Sequence, residues 1–186
     1  MTAAGDLAVR LAVETDLPEI RRIYNEGIVD RVATLDLDEK SDADIRAWWN
    51  NHDERFAVLV AERDGTVAGW ASINRYSQRC AYDGIADLSI YVARDARGSG
   101  VGARLMEAFE AAAVERNFHK IVLFTFAFNA AAQRLYRSHG FREVGTFRNQ
   151  GKLDGRYVDV MAMEKLITPK KSPKRSRLGV GGSSEG

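Results

Sequence analysis

The chain is poor in the residues that staple, break or anchor a protein. Of its 186 residues one is cysteine, three are proline, three are histidine and three are tryptophan. A single cysteine, Cys80, excludes an intramolecular disulfide and suits the reducing cytoplasm. Nothing in the sequence assigns Cys80 a base, so it reads as a small passive residue. His52, His119 and His139 have no metal-ligand spacing, and no metal is expected. No apolar run approaches the roughly 18 residues of a membrane span, so no membrane partner is expected. The start "MTAAGDLAVRLAVETD" lacks a basic stretch followed by an apolar block, so no secretory signal is read. Nor does either charge dominate: the net charge is +1. What asymmetry exists lies at the end, where "TPKKSPKRSRLGVGGSSEG" sets five basic side chains against Glu185. That segment, residues 168–186, has no apolar periodicity and reads as a disordered basic tail. The body, 1–167, is left net acidic, which argues against a nucleic-acid partner.

What is present is one domain's worth of ordinary globular sequence, 45% hydrophobic and 28% charged. "LAVRLAV" (Leu7 to Val13) reads as a strand, and Thr15 or Asp16 with Pro18 opens a helix. A short helix fits "SDADIRAWWNN", capped by Ser41 or Asp42, with Ile45, Trp48 and Trp49 apolar. Asp64-Gly65 joins two strands in a hairpin. Ile85 to Val92 is a strand, and about Val101 to Asn117 a helix with Val101, Leu105, Phe109 and Ala112 on one stripe. "KIVLFTFAF" (Lys120 to Phe128) is apolar on both faces and reads as a central strand. A helix between Asn129 and Gly140 and two last strands complete the order β-α-α-β-β-β-α-β-α-β-β. This is a mixed α/β domain.

The stretch with chemistry in it is "ARDARGSGVGARL" (Ala93 to Leu105). Glycines at 98, 100 and 102, between a strand and a helix, free backbone N–H groups to approach an anion at a helix N-terminus. A P-loop needs Lys then Ser or Thr after its last glycine; Gly102 is followed by Ala103 and Arg104, so that reading fails. The relaxed dinucleotide fingerprint Gly98-x-Gly100-x-x-Ala103 is met in form, but no acid ends the next strand, "FTFAFN".

A third reading comes from likeness. Arg97-x-x-Gly100-x-Gly102 resembles the pyrophosphate loop of the GNAT superfamily of N-acetyltransferases, and "NAAAQRLYRSHGF" (Asn129 to Phe141) is similar to that superfamily's N-x-x-A-x-x-L-Y-x-x-x-G-F segment. The likeness runs from about Leu7 to Ile167. It implies a mostly antiparallel sheet with helices on both faces and one splayed parallel pair that admits acetyl-CoA as cosubstrate. "IYNEGIVDRVATLDL", "AYDGIADLSIYVARDARGSGVG" and "GKLDGRYVDVMAMEKLI" further resemble the phosphinothricin and arsinothricin N-acetyltransferases. Those enzymes acetylate the α-amine of small amino-acid analogues, methionine sulfone and sulfoximine among them. A homodimer is also implied.

The resemblance implies a set of roles. Asp87 falls where that branch carries a glutamate base, one carbon shorter, and Tyr136 matches the general acid that protonates the leaving thiolate. Ile90, Tyr91 and Val92 are expected to pair with the pantetheine arm. Arg97, Gly98, Ser99, Gly100, Val101 and Gly102 would hold the pyrophosphate, with Asn129 as a further cofactor contact. A backbone N–H near Val92 would hold the oxyanion. Arg75, Arg79 and Tyr82 are expected on the acceptor side, where a guanidinium suits carboxylate, phosphinate or arsinate oxygens. Asp154 stands where the branch often has a histidine, and with Asp83 it argues for a zwitterion or neutral sulfone head over a doubly anionic one. Two other readings stand beside this one: acetylation of a protein N-terminus or polyamine, and a non-catalytic CoA-binding module. The module would need neither Asp87 nor Tyr136.

Overall fold

Apolar alternation and two Asp-Gly turns build most of the sheet. The computed structural model describes residues 7–168, so the expected tail lies, Thr168 apart, outside the described residues. Seven strands and four helices follow in the order β1 (Leu7–Leu11), α1 (Leu17–Val29), α2 (Asp42–Trp49), β2 (Val58–Arg63), β3 (Thr66–Arg75), β4 (Ile85–Val92), α3 (Val101–Glu115), β5 (Lys120–Phe126), α4 (Ala130–Ser138), β6 (Arg142–Leu153) and β7 (Arg156–Leu166). At the β2–β3 turn Asp64 and Gly65 both take positive φ, 52° and 77°; at the β6–β7 turn Asp154 and Gly155 do the same, 45° and 83°. Such turns match the right-handed twist of a hairpin. The second one lets β6 run the twelve residues from Arg142 to Leu153.

The sheet order is β1-β2-β3-β4-β5-β7-β6, antiparallel except where β4 meets β5. That parallel pairing covers only Ile85, Ala86 and Asp87 against Lys120, Ile121 and Val122. Beyond Asp87 the two strands part. Trp70 and Tyr91, which are cross-strand partners, stack at 4.7 Å on one face beneath Tyr24 of α1 and Trp48 of α2. On the other face α3 lies close to β3, because Gly69 offers no Cβ. Phe109, Leu105, Met106, Phe118, Ile121 and Met163 are completely or almost completely buried and form the centre of the core.

The caps behave mostly as their residue types require. Ser41 and Asp44 form a capping box at α2, and Asn129 accepts from the Ala132 N–H to cap α4. Gly140 takes φ 81° and stops α4. Asp16 differs: its carboxylate accepts from Arg10 (2.7 and 2.9 Å) and from the Val13 N–H (2.8 Å) instead of capping α1. The apolar run of β5 is buried at Ile121, Val122 and Leu123 but surfaces at Phe124, which is 47% exposed.

Gly69 is where the fold allows no side chain. A Cβ there would sit 2.9 Å from the Tyr91 carbonyl oxygen, 2.9 Å from Val101 Cγ1 and 3.0 Å from Leu105 Cδ1. Gly69→Ala is expected to cost about 1–3 kcal/mol as α3 is pushed off the sheet. Urea unfolding measures this; an unchanged midpoint would show that the helix can give way freely.

Candidate active site

The parting of β4 from β5 opens a cleft of about 530 Å³. Its walls are Ile90, Tyr91 and Val92 of β4, Ala131, Ala132, Leu135 and Tyr136 of α4, and Ile23 and Gly27 of α1. Arg97, Gly98, Gly100 and Gly102 close one end. Gly98 and Gly100 take φ of 74° and 89°, a region that favours glycine, and a Cβ at either would meet nothing within 4 Å. The bare loop therefore faces open space at the start of α3, and its N–H groups suit an anion. The unpaired stretch of β4 beside it suits a chain of amides.

Most of the residues expected at the cofactor are thus brought together, and three of them act differently from expectation. Val101 is buried in the core, 1% exposed. Ser99 turns away from the cleft: its hydroxyl donates to the Ala96 carbonyl (2.6 Å), and Arg63 donates to its Oγ and carbonyl. Both offer a ligand only backbone. Asn129 lines the cleft, but its amide is engaged at both ends, accepting from Ala132 N–H and donating to the Val32 carbonyl at 2.8 Å.

Tyr136 is buried, and its hydroxyl makes no hydrogen bond among the described residues although its ring lines the cleft. Burial raises its phenol pKa, so it remains a proton donor at neutral pH. Asp87 lies at the last paired position before the strands part, on the same face of β4 as Ser89 and Tyr91. Its carboxyl makes no hydrogen bond or ion pair among the described residues, and burial alone pushes its pKa from 3.8 up to about 7. Beside it Asn74 donates to the Asp87 carbonyl (3.2 Å) and Ser89 Oγ (3.0 Å), and accepts from Ser72 Oγ (2.9 Å).

A second cavity, about 320 Å³, lies between the sheet and α1 and α2. Tyr24, Trp48, Trp70 and Tyr91 wall it, with Ser89, Asp36, Lys40 and Asp44. Tyr91 belongs to both cavities. The buried Trp70 Nε1 has no hydrogen-bond partner among the described residues.

The residues expected at the acceptor are not gathered here. Arg75, Arg79 and Tyr82 line neither cavity; they sit in and around the loop before β4, at its Asp87 end. Arg75 pairs with Asp83 at 3.3 Å and lies 4.5 Å over the Phe56 ring. Asp154 pairs with Arg31 at 3.3 Å. The charges of Asp83 and Asp154 are therefore answered by arginines, which removes their weight against an anionic acceptor. Arg79 is exposed, and its guanidinium has no partner among the described residues.

Sequence reasoning missed Ile23, Gly27, Val32 and Ala33. Gly27 gave a signal, a lone glycine inside a helical pattern. A Cβ there would press on the Tyr91 ring at 3.2 Å.

Comparison with known proteins agrees with this geometry. Residues 17–141 match the model of the acetyltransferase (GNAT) family. A phosphinothricin N-acetyltransferase of Streptomyces coelicolor is 30% identical, covering 90% of this chain and all of its own length. An L-methionine sulfoximine/L-methionine sulfone acetyltransferase of Pseudomonas aeruginosa is also 30% identical, over 89% of this chain and 97% of its own. Among solved structures, a GNAT phosphinothricin acetyltransferase of Sinorhizobium meliloti in complex with acetyl-CoA superposes with a TM-score of 0.83 at 25% identity, covering 91% of this chain and 94% of that one. A ribosomal-protein-alanine N-acetyltransferase of Brucella melitensis gives 0.83 at 35% identity, covering 86% and 99%. The chain belongs to the GNAT family of acetyltransferases.

Asp87 links this site to stability. Its carboxyl ionises near pH 3.8 unfolded but near 7 when folded, so the folded state holds a proton that the unfolded state has lost. The contribution is complete below about pH 4 and is lost as pH rises to 7, a loss of about 4 kcal/mol. Asp87→Asn should therefore melt above the wild type at pH 8 and level with it near pH 4. Thermal melts across that range check this; a difference that does not widen with pH would mean Asp87 is solvated.

Proposed function

We propose that the chain transfers the acetyl group of acetyl-CoA to the α-amine of a small amino acid or amino-acid analogue, by direct transfer with both substrates bound. The observation that carries this reading is two unpartnered groups: Asp87, at the last paired position of β4 though it lines neither cavity, and Tyr136, on the wall of the cleft. Asp87 is a carboxyl with its pKa brought near neutrality, and Tyr136 is a phenol kept protonated. Acetyl-CoA supplies the acetyl thioester. Asp87 takes the proton that the amine must lose as its nitrogen bonds to the acetyl carbon. Tyr136 gives its proton to the sulfur as the C–S bond breaks. The backbone near Val92 steadies the oxygen on which charge develops. A base of pKa about 7 is half ionised at neutral pH, where it works best.

Two kinds of observation support the acceptor class. Relatives at 30% identity are named for phosphinothricin and for methionine sulfone and sulfoximine. Arg79, with an unpartnered guanidinium on the loop leading to Asp87, suits the anionic or strongly polar head of such compounds. Acetylation of a protein N-terminus is the second reading, favoured by the likeness to the Brucella enzyme.

Acetyl-CoA consumption across amino acids, their sulfone, phosphinate and arsinate analogues, spermidine and short peptides separates the two. The analogues should be turned over. Preference for spermidine or a peptide would overturn the acceptor assignment. Arg79→Ala should raise KM for the acceptor far more than for acetyl-CoA.

Tyr136→Phe should lower kcat by about 10- to 100-fold, with near-normal affinity for acetyl-CoA. Asp87→Ala should be most impaired near pH 7 and recover as pH rises and the free amine fraction grows. A loss that is the same at every pH would make Asp87 structural.

A further inference from the structure

The arginine aimed at the cofactor already has partners. Arg97 Nη1 donates to Asp30 Oδ2 at 2.7 Å, and its Nε donates to the Val92 carbonyl at 3.3 Å. Asp30 ends α1 and is shared: Arg94 donates to its Oδ1 through Nη2 at 2.6 Å and to its Oδ2 through Nε at 3.3 Å. A carboxylate at a helix C-terminus is poorly placed with respect to the helix dipole. No basic residue of the last turn of α1 offsets it. The two arginines of the glycine-loop segment are what hold Asp30 charged, its pKa drawn below the usual carboxylate range by Arg94 and Arg97.

We propose that Asp30 competes with the cofactor's pyrophosphate for Arg97, and thereby sets both the affinity for acetyl-CoA and the rate at which CoA leaves. This rests on the reading that the cleft binds acetyl-CoA. Carboxylate and phosphate oxygens engage a guanidinium with the same fork geometry, so one N–H cannot serve both fully. The Val92 carbonyl lies on the stretch of β4 that β5 leaves unpaired, and Arg97 Nε now sits on it. A ligand that pairs with that carbonyl must move the same side chain. Arg94 makes the exchange feasible. When Arg97 turns to the pyrophosphate, Asp30 keeps two hydrogen bonds from Arg94 and is not left as a stranded charge. Asp30 is thus a rival of moderate strength, one that a polyanion displaces and that takes Arg97 back when the product departs.

A double-mutant cycle read by calorimetry and stopped-flow tests this. Acetyl-CoA and CoA are titrated into the wild type, Asp30→Asn, Arg97→Ala and the double variant, with circular dichroism confirming the fold of each. Asp30→Asn should tighten both ligands about five- to twentyfold, mainly through slower dissociation. In the Arg97→Ala background the same change should alter affinity less than twofold. Unchanged or weaker binding by Asp30→Asn would overturn the proposal, and so would equal tightening in both backgrounds, which would reveal only a long-range field. Should Asp30→Asn fail to fold, Arg94→Gln carries the test, because it leaves Asp30 to Arg97 alone. It should weaken binding severalfold in the wild-type background and leave it unchanged in the Arg97→Ala background; any other pattern overturns the proposal. A wild type that binds neither ligand would remove the cofactor reading itself, a result distinct from all of these.

Discussion

Two parallel strands that pair over three residues and then separate make the rest of this site necessary. Main-chain donors and acceptors want partners, and a strand that loses its neighbour halfway along must find them in solvent or in a ligand. Here β3 pairs with β4 along nearly its whole length, from Gly69 and Val92 to Arg75 and Ala86. The stack of Trp70 on Tyr91 presses on the same stretch. One edge of β4 is thus held rigidly while the other is open. The small residues around the gap follow from that arrangement: Gly27, Ala131 and Ala132 leave room for a ligand where larger side chains would close the strands' separation.

The elements that carry a local signal were legible. Periodicity, the Asp64-Gly65 turn and the caps at Ser41, Asn129 and Gly140 located nearly every strand and helix, since each depends on a few neighbouring residues. The glycine loop was legible for the same reason: its backbone conformation is written in its composition. The walls supplied from far along the chain were not. Val32 and Ala33 look like any loop residues, and only folding brings them to the cleft. Ser99 and Val101 show the converse. They stand inside the motif, but one braces the loop through Arg63 and the other fills the core. A motif gives positions, and the local backbone decides which way each side chain turns.

Charge near the site follows a simple pattern. Asp30, Asp83 and Asp154 each lean on an arginine. Asp87 has no such support, and desolvation leaves it close to half protonated at neutral pH. Asp30, paired with Arg94 and Arg97, is a poor base because its proton affinity has been lowered; a carboxyl left alone in a half-buried setting is a good one. Reading acids by sequence position alone gave Asp154 and Asp83 more influence on acceptor choice than their paired state supports.

The ring of Tyr91 is a wall of both cavities, held edge-on by Tyr24 and face-on by Trp70. Tyr24 in turn donates to Asp36, which borders the second cavity only. Two chambers divided by one shared partition cannot be occupied independently if filling either shifts that partition. Linkage then runs equally in both directions: whatever factor the occupant of one chamber imposes on the other's affinity is returned unchanged. Substitutions at Tyr24 or Trp70, which hold the Tyr91 ring but line no part of the glycine loop, would therefore be felt in both chambers at once.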